Sequence, residues 1–256
     1  MQHMLDFFSV FITPGLDATS IIILVTLSIV TSAITATFGL GGGSLLIAVM
    51  SLMMPGAIVV PVHGAVQLGS NGGRAILRRA YIQWHFVGWF ILGSAIGAMV
   101  GGRVATLLPD NWFKGAIALF LLYSVWMPKP KITGRGPLST TIAGTFTSAI
   151  GMIVGIAGPL VITFLRNLTD RRQIVGTHAF LMTVQNIFKF LAFSFFGFAF
   201  WNYVPLILAM VASGFLGTYV GGLLLDKVPE KIFRIAFRLV LTFVALDLAR
   251  RAFLGL

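Results

Sequence analysis

Gly39-Leu40-Gly41-Gly42-Gly43-Ser44-Leu45-Leu46 interrupts an apolar stretch that otherwise runs from residue 18 to residue 54. Residues 18–38, before the break, are long enough to cross the roughly 30 Å hydrocarbon layer of a bilayer as an α-helix. Segment 44–54, after it, is too short. A full-length apolar helix, a glycine-rich break and a short apolar helix make the pattern of a broken or re-entrant helix. Irregular backbone at membrane depth is tolerated only where protein or a water-filled cavity surrounds it. The break occurs twice. Gly155-Ile156-Ala157-Gly158-Pro159 separates an apolar segment at 138–155 from a short one at 159–167.

Working outward, the whole chain divides into ten apolar segments. The first half holds 18–38, 44–54, 58–77, 82–103 and 112–127, and the second holds 138–155, 159–167, 173–197, 202–225 and 232–254. The fold class that follows is an all-α integral membrane protein with eight full spans and two short segments. The division is an N-terminal transmembrane repeat at 18–127, a polar linker at 128–137 and a C-terminal repeat at 138–256. Composition agrees with a membrane chain. Hydrophobic residues make up 57% of the 256 and charged residues only 10%, and the mean hydropathy is +0.97. A soluble domain carries about 25% charged residues and could not cover its surface with so few. The chain has no cysteine, which excludes disulfides and thiolate chemistry. No Lys or Arg occurs in the first eighteen residues, so no cationic start of a secretory leader is expected.

The halves repeat. Thr31-Ser32-Ala33-Ile34 recurs as Thr147-Ser148-Ala149-Ile150, a shift of 116 that also brings Gly39 onto Gly155 and Gly42 onto Gly158. A shift of 115 brings His63 onto His178, Asn71 onto Asn186 and Arg74 onto Lys189. A shift of 120 brings Gly93, Gly97 and Gly101 onto Ser213, Gly217 and Gly221. Internal repeats of this kind are common in secondary transporters. The loop charges indicate that the repeats are inverted. Arg74, Arg78 and Arg79 flank one loop of the first half, while its counterpart at 198–203 is uncharged; Arg166, Arg171 and Arg172 lie in a second-half loop whose counterpart at 55–60 is uncharged. Basic loops face the cytoplasm, so equivalent loops are expected on opposite sides. Counting the short segments as crossings places the N-terminus outside. Arg103, Lys114, Arg250 and Arg251 then fall on the outer side, and the last two count against the rule. The net charge of +11 is read in the same way, as orientation and contact with anionic membrane lipid rather than nucleic-acid binding.

Two sets of residues are candidates for binding. At each break, backbone N–H groups at the start of the second helical piece favour an anion; these are Gly41, Gly42, Gly43 and Ser44 in one half and Gly158 in the other. On segment 58–77, His63, Gln67, Ser70, Asn71 and Arg74 share one helical face. The equivalent helix presents His178, Gln185, Asn186 and Lys189, with Thr177 nearby. Polar side chains inside a membrane helix are costly and mark function by default, although they also serve to glue helices together. The chain has only seven acidic residues, and of these only Asp247 lies in a predicted span. The donor inventory therefore favours a small anion over a cation, and a histidine over a carboxylate as any proton carrier. The small-residue spacings at Gly93, Gly97 and Gly101 and at Ser213, Gly217 and Gly221 read as packing faces. Trp84, Trp112, Trp126 and Trp201, near span ends, read as interfacial anchors. No catalytic constellation, nucleotide loop or metal motif is visible, so no enzyme activity, cofactor or metal is expected.

The G-x-G-G-G stretch at Gly39–Gly43, repeated in reduced form at Gly155–Pro159 and followed in each half by a helix with small and polar residues, resembles the signature of the TauE/SafE family of sulfite exporters. The second copy keeps Gly155 and Gly158 of the four glycines, so the resemblance does not imply equal roles for the halves. It implies transport of sulfite, or of an organosulfonate such as sulfoacetate, across a bacterial inner membrane. The expectation is a secondary transporter working by alternating access, with a homodimer as a further possibility. An anion channel, a transporter of another small organic anion, and a membrane partner protein without transport are the rival readings.

Overall fold

The computed structural model describes residues 13–38, 41–127, 136–165, 168, 170–224 and 230–255. Gly39, the linker residues 128–135 and the loop residues Arg166 and Lys227 lie outside the described residues, as do the side chains of Arg171, Lys231 and Arg234. All ten apolar segments are helices: α1 (Ala18–Phe38), α2 (Gly42–Met53), α3 (Gly56–Leu77), α4 (Trp84–Ala105), α5 (Asp110–Trp126), α6 (Pro137–Val154), α7 (Gly158–Phe164), α8 (Arg171–Phe195), α9 (Val204–Leu224) and α10 (Glu230–Leu254). No strand occurs among the described residues.

The two breaks form where the sequence places glycine. Gly41 has φ +100° and Gly155 has φ +77°, a region that side-chain-bearing residues rarely adopt. Gly155 ends α6 as a left-handed cap, and α7 starts three residues later with Pro159 in its first turn, where a missing N–H costs nothing.

The helices of the two halves interlock. In one pair, α4 lies along α6: a Cβ on Gly93, Gly97 or Gly101 would run into the backbone of Thr141, Thr145 or Ala149. In the other, α9 lies along α1: Ser213 Oγ donates to the Val25 carbonyl at 3.0 Å, and a Cβ on Gly217 or Gly221 would run into the backbone of Ile29 or Ala33. Both contacts advance four residues at a time in the same direction, so each pair is parallel, and the small-residue faces are packing faces as expected. The registers correspond residue for residue. Thr141, Thr145 and Ala149 are Val25, Ile29 and Ala33 under the shift of 116.

The central pair, α3 and α8, runs antiparallel. Gly64 abuts the stem of Lys189, Gly72 faces Thr183, and Gly176 abuts Arg78. The outer pair, α5 and α10, is antiparallel too: Gly115 faces Ala252, while Trp126 Nε1 donates to Thr242 Oγ1 at 2.9 Å.

The apolar core runs through α1, α2, α3, α5, α9 and α10 around Leu24, Ile47, Met50, Val62, Leu121, Met210 and Leu248. A belt of large apolar side chains stays uncovered, including Leu92, Ile96, Val100, Leu119, Phe146, Leu208, Phe215 and Phe243. Soluble monomers seldom expose so much contiguous apolar surface. Four helical stretches, Ala18–Phe38, Val87–Ala105, Pro137–Val154 and Phe200–Gly221, are long and apolar enough to cross a membrane, and they are the members of the two parallel pairs. Trp84, Trp112, Trp126 and Trp201 are exposed at helix ends. The acidic residue inside a predicted span, Asp247, is neutralised locally: its oxygens accept from Arg250 and Arg251, both at 2.8 Å. Lys114 pairs with Asp110 at 2.7 Å, and Asp110 also accepts from Gly56 N at the start of α3. Arg250 and Arg251, the two that count against the loop-charge rule, are thus held by a carboxylate, as is Lys114.

Candidate functional site

The breaks bring the first turns of α2 and α7 against the polar faces of α3 and α8. In the first half, His63 Nε2 lies 3.0 Å from the Gly43 carbonyl; in the second, His178 Nε2 lies 3.3 Å from the Gly158 carbonyl. A carbonyl only accepts, so each ring donates through Nε2. Gly43 and His63 map onto Gly158 and His178 by the same shift of 115. Each half therefore carries one imidazole that ties a short helix to the helix following it.

A cavity opens between the two tethers. It offers about 60 Å³ of space to the centres of water-sized spheres. At roughly 10–15 Å³ per water, that is room for about four to six waters or one small oxyanion. Of the expected binding residues, Gly41, Gly43, Ser44, His63, Gln67, Asn71, Arg74, Gly158, His178 and Asn186 line it. Along α3 the polar groups form a chain. Gln67 Nε2 lies 3.3 Å from His63 Nε2 but, with that ring nitrogen donating to Gly43, the two donors make no bond to each other. Beyond it Asn71 Nδ2 donates to the Gln67 backbone carbonyl at 2.9 Å, and the Arg74 guanidinium donates to Asn71 Oδ1 at 2.7 Å and to the Ser70 carbonyl at 3.3 Å. Arg74 uses two of its five N–H donors in these bonds.

Four expected residues sit elsewhere. Gly42 packs against α1, where a Cβ would run into the Thr31 carbonyl. The Thr177 hydroxyl accepts from Gln83 N at 3.0 Å and so holds the turn before α4. The Gln185 amide donates to Thr147 Oγ1 at 2.7 Å, with Ser94 Oγ at 3.4 Å. Lys189, only 4% exposed, donates from Nζ to the Gly155 carbonyl at 2.7 Å and so braces the second break from behind. Residues outside the expected set also line the cavity: Thr35, Gly155, Ile156, Pro159 and Met182. Thr35 stands one turn before the first break. Met182 is Gln67 shifted by 115, a signal available in the repeat.

The electrostatics are one-sided. The described carboxylates are committed elsewhere: Asp17 to Ser20 N, Asp110 to Lys114 and Gly56 N, Asp170 to Arg172 N, and Asp247 to Arg250 and Arg251. Among the described residues, Arg74 and Lys189 thus meet no carboxylate. Asn186 Nδ2, buried on the cavity wall, has no hydrogen-bond partner. The half-buried guanidinium and this amide belong to residues that line one small space, together with Gly41, Gly43, Ser44 and Gly158 of the two breaks. Among the described residues, no group of His, Cys, Asp and Glu could hold a metal ion.

The family model of the sulfite exporter TauE/SafE matches residues 24–248, nearly the whole chain. No curated protein and no solved structure matches. The chain belongs to the TauE/SafE sulfite exporter family, a family of transporters, and it is a multi-pass membrane protein.

Proposed function

We propose that this member of the TauE/SafE family is a secondary transporter that carries a small sulfur oxyanion, sulfite or a compact organosulfonate, across a bacterial inner membrane by alternating access. The anion binds between the two glycine breaks. The observation that carries this reading is the pairing of Arg74, which meets no carboxylate among the described residues, with the unpartnered, buried Asn186 amide on the wall of the same cavity. A buried donor without a partner costs about 1–3 kcal/mol, and a poorly solvated cation costs more. A bound oxyanion offsets both. The cavity size favours sulfite, with four heavy atoms, and a larger sulfonate such as sulfoacetate needs a wider state of the same site.

The two halves are read as inverted repeats. The antiparallel packing of α3 on α8 and of α5 on α10 supports this, as does the alternation of basic and neutral loops. In this arrangement the site lies near the midplane, where transporters built from inverted repeats bind their substrates. A reporter fused after Leu256 is expected to report the outer side; a cytoplasmic signal rules out five crossings per half. Counterflow tests transport directly. Proteoliposomes loaded with unlabelled sulfite are expected to accumulate labelled sulfite above its outside concentration. Dissipation without accumulation is the result of a channel.

A further inference from the structure

Beside the anion cavity, between α1, α2, α3 and α9, lies a smaller crevice lined by Ser28, Thr31, Ser32, Thr35, Gln67 and Ser70. No charged side chain lines it. It gives about 10 Å³ to the centre of a water-sized sphere, room for one water or one bare ion. The protons of three of its hydroxyls are already committed to carbonyls. Ser28 Oγ donates to Met210 O at 2.6 Å, Thr31 Oγ1 to Ser28 O at 3.4 Å, and Thr35 Oγ1 to Thr31 O at 2.9 Å. A hydroxyl has one proton, so Ser28, Thr31 and Thr35 have only lone pairs to offer the crevice.

The second half shows what these hydroxyls take. Thr147 and Ser148 are the counterparts of Thr31 and Ser32, and Gln185 is the counterpart of Ser70. Thr147 Oγ1 also gives its proton to a carbonyl, that of Ala143 at 2.7 Å, and there it accepts from the Gln185 amide at 2.7 Å. An N–H donor built into the chain fills the position. In the first half the residue at that place is Ser70, which is too short to reach across.

We propose that the crevice binds a small monovalent cation, Na⁺, together with the transported anion. The ligands are neutral hydroxyl oxygens beside the first break; Na⁺ sites at the broken helices of other transporters are likewise built there from neutral oxygens, those of backbone carbonyls. Divalent Ca²⁺ and Mg²⁺ sites draw on carboxylates, and none lines this crevice. Thr35, Gly43 and Gln67 line both the crevice and the anion cavity. Cation and anion therefore sit in one poorly screened region and attract each other, and each raises the affinity for the other by the same factor. The co-ion rests on the anion reading above; the crevice chemistry does not.

The test is sulfite binding to the purified full chain in NaCl and in choline chloride at equal ionic strength, with thermal unfolding in each salt before sulfite is added. Na⁺ is expected to raise the melting temperature on its own and to raise sulfite affinity at least about fivefold, the lower end of usual coupling. Ser70→Gln, which places the second half's amide in the first half, is expected to abolish both effects while sulfite still binds. Thr31→Val serves the same purpose if that variant fails to fold. Equal sulfite affinity and equal melting temperature in the two salts overturn the cation site and leave the anion reading standing. A Na⁺-specific rise in melting temperature with no sulfite binding in either salt keeps the cation site and overturns the anion reading.

Discussion

Position by position, the two halves of the cavity wall agree on the frame and differ in what they present. Gly43, His63 and Asn71 of the first half recur as Gly158, His178 and Asn186 of the second, and the two histidines make the same bond to the same carbonyl. At the other equivalent places the chemistry diverges. Ser44 faces Pro159 across the repeat, Gln67 faces Met182, and Arg74 faces Lys189. The first half lines the cavity with donors. The second keeps His178 and Asn186 there but sets Pro159 and Met182 where the first half has Ser44 and Gln67, and it uses Lys189 to brace the break at Gly155. The equivalent positions thus share the tethers and differ in the wall, and under the proposed reading an anion held here meets more donors from the first half than from the second.

The comparison can be broken first at the frame. Gly97→Val and Gly217→Val each force a branched side chain into a backbone of the partner helix, with an overpacking cost of about 1–3 kcal/mol or more. Both variants are expected to lose a monodisperse folded state in size-exclusion chromatography, and to lose it alike. Survival of one would show that the two interlocked pairs do not carry equal weight. The next largest effect separates the cations. Arg74→Gln is expected to weaken sulfite binding at least tenfold, about 1.4 kcal/mol, with little change in melting temperature. Lys189→Met removes a buried cationic side chain that meets no carboxylate among the described residues, which offsets the lost bond to the Gly155 carbonyl because burying an unpaired charge is costly. It is expected to hold or raise the melting temperature of the anion-free protein and to weaken binding less than Arg74→Gln does. The reverse ranking would move the anion to the second half. The smallest effect concerns the tethers. His63→Ala and His178→Ala each lose one hydrogen bond worth about 1 kcal/mol, and calorimetry is expected to give them similar drops of a few degrees. A drop confined to one of them would show that the halves are not tied in the same way.

Much of this was legible in the sequence. The ten apolar segments are all helical where the structure describes them, because hydropathy and length are local properties. The breaks are where glycine clusters, because only glycine adopts the φ of Gly41 and Gly155 without strain. His63, Gln67, Asn71 and Arg74 of the polar stripe on α3 line one cavity, because helical periodicity sets which residues share a face. Periodicity does not reveal what that face meets. On α8 it placed Gln185 and Lys189 beside His178, but Gln185 is taken by Thr147 of α6 and Lys189 by the carbonyl at the break. Both partners come from elements distant in the chain. Thr177, next to His178 in the sequence, accepts from the backbone of Gln83, a contact that no local pattern signals. Met182 and Ile156 escaped notice because apolar residues in an apolar chain carry no signal by themselves. Only the repeat, which sets Met182 against Gln67, marks one of them.

The most direct measurement of the central claim is anion-dependent thermal stabilisation of the purified protein, with sulfite, sulfoacetate, taurine, sulfate and acetate compared on the parent chain and on Arg74→Gln. A ligand that binds only the folded state raises the melting temperature, by about 2.7 kcal/mol of added stability at a hundred times its Kd. The account predicts that a sulfur oxyanion stabilises the parent chain and that at the same anion concentration Arg74→Gln keeps at most about half of that stabilisation, about 1.4 kcal/mol. An undiminished shift in Arg74→Gln, or a panel in which none of the sulfur oxyanions stabilises the parent, would contradict it.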